Sequence, residues 1–214
     1  MKIYAIRHGE TIWNKDRRLQ GQTGSDLDEE GVLLAQMTAE ALADVDFDIC
    51  FTSPLIRARH TAEIMLGDRQ IPIIEDDRIQ EICFGVWEGK SCAPGNMEIP
   101  EDVYRSFHKD PLNYMPPEGG ESIAQVLART GDFYRDIIAR PDLQDKTILV
   151  ATHGCAIRGI LNSVYEDKQD FWHGGVPMNC AVSMVEVKDG VATLVLDDQV
   201  YYPEKYYHSF YVKK

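Results

Sequence analysis

The chain has 214 residues, 44% of them apolar, which suits one fairly large domain with one core. Its net charge of −13 argues against nonspecific binding to nucleic acid or to acidic membranes. It does not exclude an anionic substrate. Charges more than about 8–10 Å away are largely screened. A phosphate about 4 Å from one guanidinium gains about 4 kcal/mol at an effective dielectric of about 20.

No secretory signal precedes the first apolar run, and no run approaches transmembrane length. The five cysteines are scattered and form no C-x-x-C pair, so small buried thiols in a reducing cytoplasm are expected.

In chain order, Lys2-Ile3-Tyr4-Ala5-Ile6 reads as a buried parallel strand. Arg7-His8-Gly9-Glu10-Thr11 leaves its carboxyl end, where ligands bind in open α/β sheets. Gly9 allows the backbone to come close to a ligand. Residues 11–27 read as a long loop over the site, and Asp28 as the N-cap of a helix to about residue 44. Asp48 to Thr52 is a second strand, ending in Ser53-Pro54, with Pro54 at a first helical position of a helix to about Leu66. Ile71 to Ile74 is a third strand, and Pro72 suggests a sheet edge.

Residues 83–119 show no clear periodicity and read as an inserted lid, with short helical structure around 100–109. Gly119-Gly120-Glu121-Ser122 opens a helix to about Ala139. Thr147 to Thr152 is the strongest strand signal, followed at once by His153-Gly154 and a helix to about Tyr165. Cys180 to Val187 and Val191 to Leu196 form a hairpin across Asp189-Gly190. The tail from Tyr201 to Lys214 holds five of the ten tyrosines and reads as an arm packed on the body.

Alternating strands and helices predict a three-layer α/β/α sandwich with a mostly parallel sheet and an antiparallel edge. Parallel strands would bring His8, Arg57 and His153 to one edge of that sheet. Arg57 would sit in a first helical turn, where free N–H groups favour an anion. Two guanidiniums, Arg7 and Arg57, and two imidazoles, His8 and His153, make a pocket suited to a phosphoryl group.

Arg7-His8-Gly9-Glu10-Thr11 with Asn14 resembles the signature of the histidine phosphatase superfamily, the phosphoglycerate mutase-like family. Ser53-Pro54-Leu55-Ile56-Arg57-Ala58 with Thr61-Ala62 resembles its second motif. Glu81, with Phe84-Gly85-Val86-Trp87-Glu88-Gly89 behind it, resembles the third. Gly120-Glu121-Ser122 with Arg129, then Thr152-His153-Gly154, resemble the fourth and fifth.

The resemblance implies a nucleophile at His8 that becomes a phosphohistidine, and phosphoryl contacts from Arg7, Asn14, Arg57 and His153. It implies Glu81 as general acid and then base, and Gln20-Gly21 and Gly154 lining the substrate. It requires no metal and no cofactor, and its partner is a small phosphorylated metabolite. A metal site built on His8 and His153 is a weaker reading, because neither lies in an H-x-x-x-H pair.

The loop departs from the common pattern: Gln22, Gly24 and Asp26 stand where relatives often carry an aromatic, an aspartate and a proline. That bears on substrate choice. The expected activity is phosphomonoester hydrolysis by residues 1–214 acting as one domain, monomeric or homodimeric. The alternatives are a cofactor-dependent phosphoglycerate mutase and a non-catalytic phospho-ligand binding protein. Residues 83–90 are poor in basic side chains, which favours hydrolysis over the mutase.

Overall fold

The computed structural model describes residues 1–207. Six strands form one sheet: β1 (Lys2–Arg7), β2 (Ile49–Thr52), β3 (Ile73–Glu75), β6 (Thr147–Thr152), β7 (Val182–Lys188) and β8 (Val191–Gln199). Their order across the sheet is β3-β2-β6-β1-β7-β8. β1, β2, β3 and β6 run parallel, and β7 and β8 complete the sheet as an antiparallel edge. Two short strands, β4 (Cys92–Ala93) and β5 (Asn96–Met97), pair separately.

Strand alternation explains how helices cover both faces. Ile3 and Ala5 of β1 join Ile148 and Val150 of β6 in one apolar cluster, with Phe133, Ile137 and Ile157. Those last three lie on α5 (Ile123–Ala139) and α6 (Gly154–Leu161). Tyr4, Ile6, Leu149 and Ala151 point the other way, toward Leu34, Ala35, Ala62 and Met65. These belong to α2 (Glu29–Ala41) and α3 (Ile56–Leu66). The expected three-layer α/β/α arrangement is what the chain forms.

Several boundaries differ from expectation for local reasons. The loop at 11–27 contains a one-turn helix, α1 (Ile12–Lys15), closed by a reciprocal cap between Thr11 and Asn14. α3 starts at Ile56 with Leu55 as its N-cap, so Pro54 stands before the helix rather than in its first position. β3 begins after Pro72, which has no N–H to pair but accepts from the Cys50 amide at 2.9 Å. It is indeed an edge strand.

α6 stops at Leu161, four residues short of expectation. The chain turns there, and the Tyr165 hydroxyl reaches Asp197 at 2.9 Å.

Residues 83–119 hold the β4–β5 pair and α4 (Glu101–Lys109), as well as two short 3-10 turns. They close over a third apolar cluster that includes Ile82, Phe84, Phe107, Tyr114, Ile123 and Trp172. In the described part of the tail, Tyr202 is buried and Tyr201, Tyr206 and Tyr207 pack against the apolar cluster between the sheet and α2 and α3, as the packed-arm reading expected. Tyr211 and His208 lie outside the described residues. No helix among the described residues is long and apolar enough to cross a membrane.

Candidate active site

Three adjacent central strands end at one place. β2, β6 and β1 are neighbours, and after them come Ser53, His153 and His8. The His8 amide donates to the Thr152 carbonyl at 2.9 Å, which continues the strand pairing past its end. The two imidazole centroids lie 5.2 Å apart, tilted by 57°.

The turn at His8 is locked from outside. The Gly9 amide donates to Thr61 Oγ1 on α3 at 2.9 Å. A Cβ on Gly9 would meet the Gly31 carbonyl oxygen at 2.6 Å, and one on Gly31 would meet the Glu10 carbonyl oxygen at 2.1 Å. The expectation that Gly9 makes room for a ligand is therefore corrected. The space is taken by the start of α2, whose backbone the turn packs against.

Hydrogen bonds hold both rings and settle the tautomer of His8. His8 Nδ1 lies 2.7 Å from the Gly9 carbonyl oxygen, which can only accept. Nδ1 therefore carries the proton, and Nε2 carries the lone pair. His153 Nε2 lies 2.8 Å from Ser53 Oγ. That oxygen also accepts from the Leu55 amide at 3.3 Å, and when its own proton goes to Nε2 the ring holds its N–H at Nδ1. His153 Nδ1 is buried and without a hydrogen-bond partner among the described residues.

Both guanidiniums converge on these rings. Arg57 is 1% exposed and donates to the carbonyls of Gly21 at 2.6 Å and Thr23 at 3.1 Å. Arg7 donates to the Pro177 carbonyl at 2.5 Å. Burial, then Arg57 and Arg7, hold the His8 imidazole well below its ordinary range. Burial, then Arg57, His8 and Arg7, do the same to His153. Both rings are thus neutral near pH 7. Burial also brings the Arg57 guanidinium down to about 10, against the opposing pull of Glu81. A bound dianion would offset that repulsion between like charges.

Glu81 is buried on the same side. Its Oε1 accepts from its neighbour Ile82 N at 2.9 Å, and its Oε2 from Cys155 N in the first turn of α6 at 3.2 Å. Burial raises its carboxyl above the ordinary range, although these two amides and the guanidiniums pull it back. A Cβ on Gly154 would crowd Val176 at 2.8 Å, so the turn that presents the Cys155 amide packs closely against Val176.

Asn14 is delivered by α1. Its Oδ1 accepts from the Thr11 amide at 3.2 Å and from Asn179 Nδ2 at 3.3 Å. Gln20 accepts from the Thr11 hydroxyl at 2.8 Å. Arg7, His8, Asn14, Gln20 and Glu81 all line one open cleft of about 1020 Å³. Among the described residues, no group of three or more His, Cys, Asp and Glu side chains is arranged to hold a metal ion.

The model of the histidine phosphatase superfamily (branch 1) matches residues 3–198. The chain belongs to that superfamily. It is 30% identical to phosphoserine phosphatase 1 of Hydrogenobacter thermophilus over 190 residues, 88% of each chain. It is 34% identical to 2,3-bisphosphoglycerate-dependent phosphoglycerate mutase 2 of Gloeobacter violaceus over 163 residues, 74% of this chain and 73% of that one. Among solved structures, Bacillus stearothermophilus YhfR superposes with a TM-score of 0.84 at 31% identity. The match covers 93% of this chain and 97% of the other.

The superfamily thus includes phosphatases and mutases, and the fold expected from the resemblance is the fold observed.

In this superfamily member one supporting residue, Asn179, is unmarked in the sequence, and another, Glu88, is marked only as part of a motif. Asn179 Nδ2 donates to the His8 carbonyl at 3.0 Å, and the Asn179 carbonyl accepts from the buried Tyr202 hydroxyl at 2.6 Å. Nothing local marks a lone Asn 171 positions away from its partner. Glu88, by contrast, sits in a quoted motif. It accepts from the Gln22, Thr23 and Phe84 amides and from the Thr23 hydroxyl, and ties the substrate loop to the third motif.

Arg59 pairs with Glu63 and Glu75 away from the site, and His60 pairs with Asp26. Both remain outside the constellation.

Proposed function

We propose that this chain is a phosphohydrolase of small phosphomonoesters that works through a phosphohistidine on His8. The observation that carries the reading is the Nδ1 hydrogen bond to the Gly9 carbonyl. It leaves an unprotonated Nε2 on a ring that lines the cleft with Arg7 and has the buried Arg57 and His153 as neighbours.

Nε2 forms a bond to phosphorus as the bond to the leaving oxygen breaks, and Glu81 gives that oxygen its proton. Arg7, Arg57, Asn14 and the Nδ1–H of His153 hold the three phosphoryl oxygens as charge builds on them. Glu81, now a carboxylate, takes a proton from water. The water oxygen attacks phosphorus, the P–N bond breaks and Nε2 regains its lone pair. Gln20, Gly21 and Gly154 border the substrate, and residues 1–214 act as one domain with 83–119 as the wall over it.

Hydrolysis is favoured over isomerisation by the cleft. A mutase must exclude water around a three-carbon acid, whereas about 1020 Å³ is at the upper end for a small-ligand pocket. Similarity to phosphoserine phosphatase 1 supports the same choice.

Glu81→Gln tests the acid. Its kcat/KM on glycerol 2-phosphate is expected to fall about 100-fold, with a much smaller loss on p-nitrophenyl phosphate, whose leaving group needs little protonation. The pH profile carries a sign as well. Wild-type kcat/KM falls as pH rises through the raised Glu81 pKa, because the acid must hold its proton. That limb is expected to vanish in Glu81→Gln. Equal losses on both substrates, with the limb unchanged, contradict the assignment.

A further inference from the structure

Arg129, on α5, spends three of its five donors on the segment that carries Glu81 and two on Glu121. Its Nη1 donates to the carbonyls of Arg78 at 2.8 Å and Gln80 at 2.6 Å, and its Nη2 to that of Glu81 at 3.0 Å. The remaining Nε–H and Nη2–H go to the two oxygens of Glu121, at 2.9 and 3.0 Å. A guanidinium has five N–H groups in a fixed planar fork, and here all five are used. Glu121 completes the loop: its Oε2 also accepts from the Cys83 amide at 2.9 Å and from Gln22 Nε2 at 3.4 Å.

The pair therefore grips backbone on both sides of Glu81, carbonyls before it and an amide after it. Neither residue is among those lining the cleft, and both are mostly buried. An ordinary ion pair at such depth adds little net stability. One that fixes three consecutive peptide orientations beside an acid fixes where that acid can reach, and misplacement by about 1 Å costs about 100-fold in rate. Charge-assisted bonds to backbone hold that geometry more rigidly than packing does.

We infer that Glu121 and Arg129 form a positioning unit for the acid, holding the 78–83 backbone so that the Glu81 carboxyl meets the leaving oxygen. This rests on the general-acid reading above. Gln22, which donates to the Glu81 carbonyl at 3.2 Å as well as to Glu121, couples the substrate loop to the same unit.

Arg129→Lys keeps the charge but has three donors and no fork. Its kcat/KM on glycerol 2-phosphate is expected to fall at least about tenfold more than on p-nitrophenyl phosphate, with KM changed less than about threefold. Glu121→Gln keeps the volume and carries the same expectation. Equal losses on both substrates, or none, overturn the inference, as does failure of both variants to fold, which marks the pair as scaffold.

Glu81→Gln run beside them separates the two claims. If it discriminates between leaving groups and the clamp variants do not, only the positioning role fails. If it does not discriminate, the acid assignment fails first.

Discussion

At the scale of single residues, the chemistry depends on which nitrogen of each ring carries the proton. Sequence motifs named His8 and His153 but said nothing of tautomers, because a tautomer is set by a neighbour in space. For His8 that neighbour is its own next carbonyl. For His153 it is Ser53, one hundred positions earlier. Ser53→Ala removes the bias that keeps the Nδ1–H of His153 on the phosphoryl side. Its kcat/KM is expected to fall about tenfold on both alkyl and aryl phosphates, since charge on the phosphoryl group is common to both. Nitrogen-15 spectra of His153 are expected to move from the Nδ1–H form toward a mixture, and Ser53→Thr to restore both. An unchanged tautomer in Ser53→Ala contradicts the assignment. The same logic explains why Asn179 was not legible. Its amide is defined by contact with His8 and Asn14, not by any pattern around it.

At the scale of elements, the strands and the helices that pack on them were legible because their side chains repeat with the period of the element. β1 and β6 alternate between two buried faces, and α5 carries an apolar stripe behind a Ser122–Gln125 cap. The segment 83–119 was not legible beyond the helix near 100–109. Its order comes from side chains that meet residues far along the chain. Phe107 is the one buried residue of α4, and its ring packs edge-on to Phe84, Tyr114 and Trp172 at 5.0–5.3 Å.

His108 beside it packs near Trp172, at 5.8 Å, and Tyr104, at 4.6 Å. Burial, then Lys109, lowers its imidazole to about 4. The unfolded chain therefore binds the proton more readily, so this residue's contribution is present above about pH 6.5 and is lost as pH falls toward 4. Urea unfolding across that window is expected to show a shallower acid loss of stability in His108→Gln than in the wild type. Parallel curves would show that His108 stays accessible to protons in the folded state.

At the scale of the whole molecule, the site exists because three strands from distant parts of the chain are neighbours in the centre of one sheet. Their order, β2-β6-β1, could not be read from sequence, but their parallel direction could, and direction was enough to predict convergence. The acidic surface does not conflict with an anionic substrate. The cleft has its own cations, with Arg7, Arg17, Arg18 and Lys109 among its lining residues, inside a chain of net charge −13.

The central claim is that phosphorus passes through Nε2 of His8. The direct measurement is to trap that intermediate in Glu81→Gln, where p-nitrophenyl phosphate can still load the nucleophile but the base that activates water is gone. Mass spectrometry and phosphorus-31 spectra of the quenched protein are expected to show one acid-labile, alkali-stable phosphoryl group on Nε2 of His8. A label on another residue or on Nδ1, or turnover in His8→Ala at the wild-type rate, would contradict the account.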